Sequence, residues 1–130
     1  MALLSKEIGA RKALKLGKAH EKTNRKDFKK RRKEEGAIPD LTAERMDLFN
    51  NKVGVKIADS CALGNGKLEI LECVKTKLYD GELRIIQMNH QGTSLDTTNQ
   101  EIPREQWESR WENDRILVPS NNLLKGRNQN

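Results

Sequence analysis

Pro39-Asp40-Leu41-Thr42-Ala43-Glu44-Arg45-Met46-Asp47-Leu48-Phe49-Asn50-Asn51-Lys52-Val53-Gly54 is the stretch on which the fold turns. Pro39 interrupts whatever precedes it, and Asp40 or Thr42 can accept from the free N–H groups of a first helical turn. Met46, Phe49, Val53, Ile57 and Cys61 then recur at three- and four-residue spacing, which predicts a helix over 41–62 with that face buried. Beside the apolar face runs a polar one: Asp47, Asn50, Asn51 and Gly54 stand at i, i+3, i+4 and i+7. Asn and Asp are mediocre helix formers because their side chains compete for backbone hydrogen bonds. Gly54 costs about 1 kcal/mol relative to Ala in a helix interior. Such a set must gain something elsewhere. It makes either a hydrogen-bonded helix–helix contact with Gly54 admitting a close neighbour, or a polar cleft with Asp47 as base or metal ligand.

On the N-terminal side, Leu3 to about Asn24 reads as helix, with Leu3, Leu4, Ile8, Ala13, Leu16 and Ala19 able to face a core. Gly9 and Gly17 lie nearly on one face, where a second helix could approach. The stretch around 27–35 extends this helix or forms a short one, stopped by Gly36. On the C-terminal side, Leu63-Gly64-Asn65-Gly66 is a turn, and Leu68, Leu71, Val74 and Leu78 mark another amphipathic helix closed by Asp80-Gly81. Leu83–Met88 reads as a strand and 89–100 as a polar loop. Pro103 opens a short helix whose tryptophans, Trp107 and Trp111, share a face. Ile116-Leu117-Val118 can pair with the earlier strand before Pro119 ends it. The fold class is therefore mainly α, about four helices with a short two-stranded β annex near the C-terminus. One domain spans 1–124, followed by a frayed, disordered tail over 125–130.

The charge is uneven. Net charge is +6 over 130 residues, but residues 1–36 carry +8 and the remainder −2. The excess is densest in Lys29, Lys30, Arg31, Arg32 and Lys33, a solvated helix face or arm that also suits nucleic acid phosphates through counterion release. Phe28 alone accompanies it, so there is no stacking platform for single strands. No apolar run has the ~20 residues of a membrane span, and Met1-Ala-Leu-Leu-Ser-Lys-Glu lacks a signal-peptide core, so cytoplasmic synthesis without a signal peptide is expected. Cys61 and Cys73 cannot form a disulfide framework, lack paired zinc-ligand spacing, and read as reduced apolar residues.

Ala19-His20-Glu21 followed by Arg45-Met46-Asp47-Leu48-Phe49-Asn50-Asn51-Lys52-Val53-Gly54 resembles an uncharacterised bacterial domain family. Its members often end secreted polymorphic or Rhs-type toxins, with an Ala-His-Glu element and a Met-Asp-Leu-x-Asn-Asn-x-x-Gly-Arg motif. The likeness covers mainly residues 10–83, including the helix near 67–83 and the Gly-Glu-Leu after it. Val55 stands where the family has Arg. The family's Arg-His-Ala helix, which precedes the segment matching Ala2-Leu3-Leu4, is not found here, so the N-terminal boundary is expected to cut into the domain. The resemblance implies a helical fold with a polar site around His20, Glu21, Asp47, Asn50 and Asn51.

Physical chemistry says what such a site can do. Histidine and carboxylates on neighbouring helices, His20 with Glu21 and Asp47, are the ligand set of a divalent metal that activates water. Without a metal, His20 serves as general base oriented by Glu21 or Asp47, and Asn50 or Asn51 holds substrate or an oxyanion. His90, alone in its loop, is a weak candidate. The expectation is an effector-like hydrolase, delivered by a dedicated secretion system and met by an immunity protein or a missing upstream segment. Two other expectations compete with it: a nucleic-acid-binding module built on 22–33, and an interaction domain without catalysis. The shared-site reading requires His20 or Glu21 to lie near Asp47.

Overall fold

A computed structural model describes residues 1–30, 39–61 and 67–122, less the side chains of Lys6, Asp27, Lys67 and Leu68. The helices are α1 (Ala2–Ile8), α2 (Ala10–Lys29), α3 (Leu41–Ser60), α4 (Lys67–Tyr79) and the short α5 (Arg104–Trp107). The strands β1 (Arg84–Ile86) and β2 (Leu117–Pro119) pair antiparallel, with Ile85 opposite Val118. This is the mainly helical fold with a small β annex expected from the sequence. Arg31, Arg32, Lys33, Gly36, the turn at 63–66 and the tail at 125–130 lie outside the described residues.

The first helix is two helices. Gly9, with φ at 89°, breaks it between Ile8 and Ala10, a backbone conformation that suits a residue without Cβ. The bend lets α1 lie across α3 while α2 runs on beside it. Gly54 takes up the contact: a Cβ there would stand 2.9 Å from Met1 Cβ and 3.1 Å from the Ala2 backbone nitrogen. Ala2, Ile57 and Ile70 form the core, with Leu3, Val53, Cys61, Cys73 and Val74 packed against it.

α3 is held at its N-terminus and at its middle by the C-terminal part of the chain. Asp40 is the N-cap, its Oδ1 accepting from the Ala43 N–H at 2.8 Å. Thr42 does not cap the helix; its hydroxyl donates to the Arg115 carbonyl. The other oxygen of Asp40 accepts from Arg115 and from Asn113 Nδ2, and both charged side chains are buried. Further along, Asn50 donates to the Arg84 carbonyl at 2.9 Å and accepts from the Arg84 N–H at 2.8 Å.

Several expectations are corrected. Ile8, Leu16, Ala19, Phe49, Leu71 and Leu78 are exposed rather than core, because neighbours cover only one side of each helix. On α3 the buried face moves to Gly54, Val55, Ile57 and Ala58, while Phe49 lies under the Arg84 guanidinium at 4.6 Å. Trp107 and Trp111 do not share a helix face. α5 ends at Trp107, and Ser109, with φ at 66°, turns the chain. Trp107 then stacks under Arg115, and Trp111 reaches Phe28 on α2. Cys61 and Cys73 are joined as a disulfide, not reduced, because the end of α3 and the body of α4 bring their Cα atoms to 6.7 Å.

Substituting Gly54 with Ala sets two effects against each other. Helix propensity gains about 1 kcal/mol, but overpacking against Met1 and the Ala2 backbone costs about 1–3 kcal/mol. A net loss of about 1 kcal/mol is expected in urea titration; a variant more stable than the parent would show that α1 does not press on this position.

Candidate site between α1, α2 and α3

The polar face of α3 divides between two structures. Asn50 and Asn51 point about 100° apart around the helix. Asn50 is spent on β1, while Asp47 and Asn51 face α2. Together with Gly17, His20 and Glu21 of α2 and an apolar lip of Met1, Leu4 and Leu16, they line a cleft of about 250 Å3. Gly17 permits this closeness: its Cβ would fall 2.6 Å from Asn51 Nδ2. The structure thus brings His20, Glu21, Asp47 and Asn51 together and leaves Asn50 out.

His20 and Glu21 differ sharply in environment. His20 stands exposed at the mouth, whereas Glu21 is 3 % exposed. The Glu21 Oε2 accepts a long hydrogen bond from Asn24 Nδ2, 3.4 Å, and Oε1 has no hydrogen-bond partner among the described residues. Asn24 Oδ1, also buried, is unpartnered in the same way. Burial lifts the Glu21 carboxyl to about 7, and the negative charge of Asp47 adds to the effect. The Asn24 hydrogen bond and His20 oppose it, and Glu44 adds a smaller push upward. A carboxyl that holds its proton near neutrality can donate a hydrogen bond or a proton, which an ordinary glutamate cannot.

Glu44 does not share this condition. It is buried one turn before Asp47 but takes a forked ion pair from Arg25, at 2.7 and 3.0 Å. Two buried glutamates therefore face the α2–α3 seam, one paired with a cation and one not. Sequence reading missed Asn24, Glu44 and Arg25. The available signal was their helical phase, since Asn24 follows Glu21 by three residues and Glu44 precedes Asp47 by three.

Among the described residues no three His, Cys, Asp or Glu side chains gather in a metal-holding group, His20, Glu21 and Asp47 included. Lys29 and Lys30 are exposed at the end of α2, and His90 is exposed on its turn. No helix among the described residues is long and apolar enough to cross a membrane.

No curated protein and no solved structure matches the chain. The family model of a domain of unknown function, DUF6973, matches residues 1–82. That span contains α1 to α4 and every residue of the cleft, and it stops just before β1. With more than half of its length under this match, the chain belongs to the DUF6973 family.

Proposed function

We propose that this cleft is a hydrolytic site and that the chain is a toxin- or effector-like domain acting through it. The observation that carries the reading is the buried Glu21 carboxyl, whose Oε1 has no hydrogen-bond partner among the described residues and which shares the cleft with Asp47, burial and the Asp47 charge together raising its proton affinity. Asp47 takes a proton from water as the water oxygen bonds to the electrophilic carbon of the substrate. Glu21 gives its proton to the leaving oxygen as the old bond breaks, and solvent exchange resets the pair. The Asn51 amide is the donor for charge developing on the substrate. His20, at the mouth, shuttles protons rather than serving as first base. This route needs no metal.

The resemblance to toxin C-termini sets the readout. Induced synthesis of the chain inside bacteria should arrest growth, and Glu21→Gln or Asp47→Asn should each relieve the arrest by at least 100-fold in surviving colonies. Both variants keep shape and hydrogen-bonding capacity, so circular dichroism should be unchanged. Folded variants that kill as well as the parent would defeat the proposal. The basic face of α2 supports a rival. Lys22, Lys26, Lys29 and Lys30 are exposed along it, and killing lost on neutralising them but retained in Glu21→Gln would favour a nucleic acid target.

A further inference from the structure

The cleft does not end at its apolar lip. Leu16, 52 % exposed, also lines a groove of about 630 Å3 in the elbow between α1 and α2, together with Ile8, Lys12, Lys15 and Ala19. The Gly9 bend makes this elbow concave. Around α2, Leu16 and His20 sit between the groove face and the cleft face, so one leads into the other. Lys12 and Lys15 rim the groove, with Glu7 at the far end.

We infer that the substrate is an amphiphile: a hydrocarbon chain lies in the α1–α2 groove, an anionic group meets Lys12 and Lys15, and the bond to be cut enters the cleft beside Leu16. The inference rests on the hydrolytic reading of the cleft and names its substrate class as long-chain acyl esters that carry a separate anionic group. A second copy of the chain fits less well. Lys12 and Lys15 on the rim, on a helix with eight basic residues against Glu21 and Asp27, favour an anionic occupant over another basic face.

The test uses p-nitrophenyl esters of two to twelve carbons and the binding of dodecanoate. Each methylene fully buried tightens binding by about four-fold, so kcat/KM should climb steeply with chain length until the groove is filled. Ile8→Asp touches the groove but not the cleft. It should flatten the chain-length dependence, lowering the twelve-carbon rate far more than the two-carbon rate. Glu21→Gln should lose hydrolysis of every ester and still bind dodecanoate. Hydrolysis that is flat in chain length overturns the substrate class and leaves the hydrolytic reading intact. Hydrolysis of no ester, with dodecanoate binding abolished by Ile8→Asp, overturns the hydrolytic reading and the substrate role with it. A concentration-dependent dimer broken by Ile8→Asp, with no dodecanoate bound, assigns the groove to a second copy and overturns the inference.

Discussion

Glu21→Gln should make the protein more stable above pH 7 while silencing it. The folded state holds the Glu21 carboxyl at about 7 against an ordinary value of 4.5. Between those values the folded chain keeps a proton that the unfolded chain has released, so stability falls as pH rises through this window. Below 4.5 the carboxyl is neutral in both states and nothing is lost. Above 7 it is ionised in both, and the whole difference, about 3 kcal/mol, is subtracted from stability. Glutamine has the same shape and no charge to bury, but its amide needs partners too, so a net gain of about 2 kcal/mol is expected at pH 8 and almost none at pH 4. For a domain of this size that is a rise of about 8 °C in Tm at pH 8. Melting curves of the two proteins at pH 4, 6 and 8 decide it. Parallel curves at all three would mean that the Glu21 carboxyl titrates normally.

Removing either partner of the Asp40–Arg115 pair should be the most destabilising single change in the annex. Both side chains are buried, and Asp40 uses its second oxygen to cap α3. Breaking a buried ion pair from one side costs about 3–5 kcal/mol, because the charge left behind has no partner and little water. Asp40→Ala also forfeits the cap, worth about 1 kcal/mol. Arg115→Ala removes the cation stacked 4.0 Å over Trp107 and strands the Asp40 carboxylate. Against a total stability of about 5–15 kcal/mol these are large losses. The double replacement by Ala should cost clearly less than the two singles added, since neither charge is then unpaired. Urea titration gives all three values, and losses below about 1 kcal/mol for the singles would show the pair to be solvated.

α3 and α4 are legible because each carries its own start, stop and period, whereas the break at Gly9 that divides α1 from α2 is not. Asp40 before an apolar spacing of three and four is a local signal, and α3 begins where it says. The burial of individual side chains was not local. Phe49 and Leu16 have perfect helical phase yet stay exposed, since phase says which residues share a face and not which face finds a neighbour. Of the polar stripe on α3, Asp47 and Asn51 reach the expected cleft, Gly54 receives α1, and Asn50 turns to β1. Sequence reading ranked His20 and Glu21 together as neighbours. One helical step of about 100° separates an exposed imidazole from a buried carboxyl. The burial of Glu21 depends on α3 crossing α2 at Gly17, a contact between distant segments that no window along the chain contains.

The bonds between Asn50 and Arg84 have a consequence for how the molecules behave toward one another. A two-stranded sheet has two open edges, and the backbone N–H and C=O on an open edge can recruit a strand from another chain. Arg84 turns its N–H and C=O away from β2, and both are taken by a single amide from the middle of a helix. The carboxamide imitates a peptide group, so α3 closes that edge as a third strand would, without offering an edge of its own. An asparagine that weakens the helix it sits in thereby blocks one stretch of annex edge, at Arg84, from templating intermolecular β-structure.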